Sequence, residues 1–116
     1  DPITIHEYSE PEPDLVIARF RDDFYMRSHP GPADVLLVVE VADTSLEYDL
    51  KAKVPLYAAG GIPEVWLVDL NQNTLTVFQK PEGAAYQNQT TLRPSDTVTV
   101  PGFADAVLPL AQIGLV

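Results

Sequence analysis

The chain has 116 residues, a formal net charge of −10 and no cysteine. That length supports one domain around one core; the lack of thiols excludes a disulfide framework and a thiolate zinc site and fits a reducing compartment; the acid excess argues against non-specific binding to phosphate backbones. Hydrophobic residues make up 46%, too many for disorder, yet no apolar run approaches the roughly 20 residues of a membrane span and no signal-peptide pattern is present.

In chain order, Asp14-Leu15-Val16-Ile17-Ala18-Arg19-Phe20 predicts a first strand. Arg21 to Ala33 is polar and contains His29-Pro30-Gly31-Pro32, a cluster of turn signals. Asp34 to Ala42 predicts a second strand, continuously apolar and β-branched, which marks burial on both faces. Asp43-Thr44-Ser45 offers N-cap chemistry for a helix from about Leu46 to Ala59, and Gly60-Gly61 suits its left-handed stop. Pro55 inside that helix removes a backbone donor and predicts a kink near Lys51, or two shorter pieces. Strand Val65–Leu70, a turn at Asn71-Gln72-Asn73, strand Thr74–Gln79, a turn at Pro81-Glu82-Gly83 and a strand over Ala85–Leu92 follow. Thr97–Val100 and Val107-Leu108 are short apolar pieces of a β-rich tail.

Glu40 is the residue that this pattern singles out. A carboxylate in a strand buried on both faces sheds its water and needs a metal ion, a lysine or a proton to compensate it. The plain alternative is a strand-end Glu that reaches solvent or an arginine. On the helix, Leu46, Leu50, Val54, Tyr57 and Ala58 form the apolar stripe, and Asp49, Lys53 and Tyr57 recur every four residues beside it. That spacing fits either an exposed Asp49–Lys53 pair, worth a few tenths of a kcal/mol, or a lysine held by an acid and aimed at Glu40. If the first two strands form an antiparallel hairpin, the register that opposes Phe20 to Asp34 also opposes Asp14 to Glu40, with Cβ atoms about 4.5–5.5 Å apart. Two carboxylates so placed repel unless they share a cation or a proton. Asp34 cannot replace Asp14, because it lies about 20 Å from Glu40 along one strand.

The order Pro13-Asp14, Glu40, a helix with Tyr48-Asp49-Leu50, Lys53 and Pro55-Leu56-Tyr57, then Gly61-Ile62-Pro63-Glu64-Val65-Trp66-Leu67-Val68-Asp69 resembles the Uma-type putative restriction endonuclease family of the PD-(D/E)XK nuclease superfamily. The resemblance runs from about Pro11 to Phe78 and more weakly through the tail. It implies an α/β (α+β) fold: a restriction-endonuclease-like core, a mixed β-sheet, a helix after the second motif strand and a β-rich C-terminal tail. Residues 1–116 would be a single domain lacking the superfamily's N-terminal helix and first strand. Asp14 and Glu40 would be the metal-binding acids, with the Val41 carbonyl as a third ligand. The usual lysine two residues after the acid is replaced by Ala42, so Lys53 would take its role, with Lys51 as the alternative. Asp49 and Tyr57 would support the site without acting in catalysis. The implied activity is hydrolysis of phosphodiester bonds in nucleic acid, DNA before RNA, with Mg²⁺ or Mn²⁺, by a cytoplasmic homodimer.

Two other readings compete: an inactive nuclease-like interaction or assembly module, which the displaced lysine and the acid excess favour, and a small β-rich binding domain, in which Glu40 faces solvent or an arginine away from Asp14. His6 and His29 read as isolated loop residues, Arg19, Arg21 and Arg27 as solvated arginines near a loop, Trp66 and Tyr86 as packing aromatics, and Glu64 and Asp69 as capping or turn residues.

Overall fold

Apolar content sufficient to bury a sheet on both faces produces two layers on one sheet. In the computed structural model, which describes residues 14–19, 21, 31–42 and 47–115, the side chains of 47–51 excepted, strands β1 (Leu15–Ala18) and β2 (Val35–Ala42) pair antiparallel. Helix α1 (Glu47–Ala59) carries the chain over to β3 (Glu64–Asp69), which lies parallel to β2. Antiparallel β4 (Thr74–Glu82) and β5 (Ala85–Leu92) complete a mixed five-stranded sheet in the order β1-β2-β3-β4-β5. The apolar pieces of the tail become β6 (Thr97–Thr99) and β7 (Val107–Pro109), paired as a separate ribbon, and a 3-10 turn, Leu110–Ile113, follows.

On one face of the sheet Val35, Val38 and Val65 pack against Tyr57 of α1 and Ile62. On the other, Leu37, Val39, Trp66, Val68, Leu75 and Val77 pack against Val98, Leu110 and Leu115 of the tail. Helix and tail thus cover opposite faces, which is why β2 reads as an uninterrupted apolar run rather than an alternating one.

Helix α1 runs unbroken through Pro55. It ends in a Schellman cap: Ile62 N donates to Tyr57 O at 3.1 Å, Gly61 N donates to Ala58 O at 3.0 Å, and Gly61 takes φ +78°. Ile62 is fully buried, so the cap pins the helix end, and Tyr57 with it, to the sheet. At the β3–β4 turn the Asp69 carboxylate accepts the N–H groups of Asn71 and Gln72, both at 2.9 Å, an Asx-type turn.

The β1–β2 register runs Leu15 opposite Val39, Val16 opposite Val38 and Ile17 opposite Leu37, then slips so that Ala18 faces Val35. Beyond the slip, Arg19 N donates to Asp34 O at 2.6 Å; the expected match of Phe20 with Asp34 falls on a residue outside those described. The cause of the slip is local. Asp34 closes the 3-10 turn Pro32–Asp34, accepting Gly31 N–H at 3.0 Å on its carboxylate and facing Arg21 at 3.8 Å, instead of opening the strand. Phe20, His6, His29, Arg27, the proposed cap Asp43-Thr44-Ser45 and Leu46 lie outside the described residues, as do the side chains of Asp49, Leu50 and Lys51.

Candidate functional site

The first three β1–β2 pairs keep the predicted register, so its continuation sets Asp14, just before β1, opposite Glu40 near the end of β2. The two acids do not confront each other. The main-chain N–H of Asp14 donates to Glu40 Oε1 at 3.1 Å, and the N–H of Val41 donates to Asp14 Oδ2 at 2.7 Å. Each carboxylate is held by a backbone donor of the other strand, a charge-assisted arrangement stronger than a neutral hydrogen bond.

Glu40 is buried, 1% exposed, on the face that α1 covers. Its second oxygen, Oε2, accepts the Tyr57 hydroxyl at 2.8 Å and faces Lys53 Nζ at 3.4 Å. Lys53 and Tyr57 stand one helical turn apart, so one side of α1 brings both to a single oxygen. Burial, and then the hydrogen bond to Glu40, raise the Tyr57 hydroxyl's pKa well above its ordinary value; the group stays protonated and acts as a donor. Lys53 is about one-third exposed along its side chain, so the cluster is buried at Glu40 and open at Lys53 and Asp14.

The structure thus brings together Asp14, Glu40, Lys53 and Tyr57, and Val41 joins through its main chain. Asp49 and the alternative Lys51 lie on α1 with side chains outside the described set. The ligands the site could offer are carboxylate oxygens, with no imidazole or thiolate among them, the donor type a hard divalent cation takes. Asp14 Oδ1 accepts no hydrogen bond among the described residues. No three His, Cys, Asp or Glu side chains gather among the described residues, so such an ion would draw its further ligands from main-chain carbonyls and water.

A trough of about 710 Å³ lies on the same face between α1 and the β4–β5 hairpin, lined among others by Val54, Leu67, Thr76, Thr91 and Arg93. It meets the acid site through Leu67, which pairs with Glu40, and through Val54, next to Lys53.

The sequence reading missed a second buried carboxylate. Glu64 is neither a cap nor a turn residue: its oxygens accept Trp66 Nε1 at 2.6 Å and Gln79 Nε2 at 2.9 Å. The signal was its spacing of two from Trp66, which puts both on one face of a strand. Trp66 and Tyr86 do serve packing, Tyr86 through a ring contact with Phe78 and a hydroxyl bond to Ile62 O.

Among curated proteins, none matches the chain. A similar solved structure is that of a putative nuclease belonging to DUF820 from Anabaena variabilis ATCC 29413, with a TM-score of 0.54 and 20% identity, covering 66% of this chain and 42% of that one. The likeness is one of fold, and the chain spans less than half the length of that protein. The model of the Uma2 family, described as "Putative restriction endonuclease", matches residues 1–111. That match covers nearly the whole chain, and the chain belongs to the Uma2 family.

Proposed function

We propose that this chain is a metal-dependent endonuclease of the cytoplasm that hydrolyses phosphodiester bonds in DNA, with Mg²⁺ or Mn²⁺ as cofactor and two copies acting together. Membership of a restriction-endonuclease family supports the nuclease class, and among the described residues no helix is long and apolar enough to cross a membrane. The observation that carries the reading is the convergence on Glu40: an acid from the opposing strand, a helix lysine at 3.4 Å and a buried tyrosine at 2.8 Å.

Asp14, Glu40 and the Val41 carbonyl would hold the cation. When bound, it supplies Lewis acidity toward a phosphate oxygen and lowers the pKa of water. The protein groups do the rest. The backbone donors at Asp14 and Val41 fix the rotamers of the two acids. Tyr57 holds Glu40 Oε2 in place and excludes water from its buried side. Lys53, the open cation of the cluster, stabilises charge gathering on the phosphate or orients the attacking water. The trough beside Leu67 gives a substrate strand room to approach.

A second reading is favoured by one observation: Lys53 already offsets the charge of Glu40 without any added ion, as it would in an inactive, nuclease-like assembly module. Calorimetry with Mn²⁺ on the chain and on Glu40→Gln separates the two. Saturable binding that vanishes in the variant supports the metal site. A folded chain that binds no Mn²⁺ rejects it in favour of the module.

A further inference from the structure

Strand β5 is one edge of the five-stranded sheet. Its eight residues, Ala85-Tyr86-Gln87-Asn88-Gln89-Thr90-Thr91-Leu92, include no charge and no proline. Its register with β4 keeps one offset from Glu82 opposite Ala85 to Leu75 opposite Leu92, interrupted at Lys80, whose φ is +58°. Soluble proteins blunt such edges with shortness, lysines, prolines or bulges. The opposite edge does so: β1 has four residues and a register shift. Strand β5 has none of these devices.

The hairpin turn tells which groups face outward. Gly83 and Ala84 form a two-residue turn, with Gly83 at φ +61°, so the flanking pair Glu82–Ala85 is the hydrogen-bonded one and bonded and non-bonded pairs alternate from there. Pro81, which has no N–H to donate, then falls opposite Tyr86 in a non-bonded pair, as it must. The main-chain N–H and C=O groups of Tyr86, Asn88, Thr90 and Leu92 point away from β4. Among the described residues no main-chain hydrogen bond from outside the sheet reaches them.

We propose that this edge is a homodimer surface, on which a second copy of the chain adds its own β5 antiparallel across a two-fold axis. Two properties select a second copy over a foreign strand. Antiparallel pairing of a strand with itself is isologous, and the amides and hydroxyls of Gln87, Asn88, Gln89, Thr90 and Thr91 are both donors and acceptors, so each is complementary to its own kind. The chain also carries a net charge of −10, and an uncharged strand is where two such copies meet with least repulsion, while it offers no acid to attract a basic partner. The axis stands normal to the sheet, so both Glu40 sites fall on the same face of one ten-stranded sheet, a face that the sheet's twist turns between the two copies. The two β2 strands are then seven strand spacings apart, about 34 Å. A strand edge buries little area, so the association belongs to the weak, reversible class.

This dimer deepens the two-copy element of the nuclease reading, yet it is measured without cleavage. Sedimentation velocity of the chain across a concentration series is compared with Asn88→Lys, which puts a charge on the edge, and with Thr90→Pro, which removes one outward N–H. The expected result is a reversible dimer in the wild type, weakened by about tenfold or more in both variants, with unchanged far-ultraviolet circular dichroism. Glu40→Gln leaves the association as it is, so failure of the metal site and failure of the dimer read out separately. A wild type that stays monomeric, or an Asn88→Lys variant that folds and dimerises as tightly as the wild type, overturns the proposal; Asn88→Lys decides alone if Thr90→Pro does not fold.

Discussion

Lys53 Nζ stands 3.4 Å from Glu40 Oε2, so the cation serving this acid arrives from helix α1 and not from strand β2. The position two residues after Glu40 shows why. Ala42 is fully buried against Leu67, and a lysine side chain there would have to bury its charge. From the helix the ammonium reaches the same carboxylate while part of its stem stays in solvent.

If Lys53 stabilises charge on the phosphate, Lys53→Ala keeps Mn²⁺ binding and lowers cleavage of plasmid DNA by about 10²–10³-fold, the range for loss of one preorganised electrostatic contact. Asp14→Ala and Glu40→Ala lose both. Parallel calorimetry and gel assays on the three variants check the split, and an intact metal site in both acid variants would exclude the assignment.

Tyr57→Phe keeps the ring in the core and removes the donor to Glu40. The expected cost is about 1 kcal/mol, at the low end because Lys53 still faces the same oxygen. Urea unfolding measures it. Mn²⁺ affinity falls in the same variant, because Glu40 loses the contact that fixes its rotamer, whereas the core variant Val98→Ala destabilises without touching affinity.

The tyrosine hydroxyls set an alkaline limit. Burial raises the pKa of both Tyr57 and Tyr86 in the fold. In the unfolded chain they ionise near pH 10. Above that value the unfolded state binds fewer protons than the folded one, so stability is intact below about pH 10 and falls as pH rises beyond it. Unfolding free energies measured on both sides of that pH give a negative slope, shallower in Tyr57→Phe than in the wild type. An equal slope in the two proteins would contradict the raised hydroxyl.

Trp66→Phe removes the 2.6 Å donor to Glu64 and leaves a buried carboxylate oxygen short of a partner, at a cost of about 1–3 kcal/mol. A double-mutant cycle with Glu64→Gln yields a coupling energy of about 0.5–3 kcal/mol. Additive effects would mean that Trp66 stabilises only by packing.

Much of this arrangement was legible in the sequence because it rests on period and spacing. The apolar run around Glu40 announced a strand covered on both faces. The four-residue step from Lys53 to Tyr57 placed both on one side of the helix. The Asp14–Glu40 register survived because apolar pairs such as Val16 with Val38 fix it. The slip near Ala18 was not legible, because the Asp34 carboxylate accepts the Gly31 main-chain N–H there, and such local competition leaves no periodic trace. The pairing of Thr97–Thr99 with Val107–Pro109 was equally hidden, since three-residue strands carry too little pattern. The family resemblance pointed to Lys53 in place of the missing strand lysine; spacing alone favoured an exposed pair with Asp49.

Among the described residues strand β1 has four residues and one neighbour, and the acid it positions sits just before its first residue. Such an edge element belongs to the part of a fold that opens at low free energy, independently of global unfolding. Amide hydrogen exchange should therefore be faster at Val41, whose N–H donates to the Asp14 carboxylate, than along β3 at the sheet's centre. Peeling β1 away would separate Asp14 from Glu40 while both apolar layers stay packed. Whatever clasps the β1 edge, a further segment of chain or the substrate itself, would then govern whether the two acids are together at all.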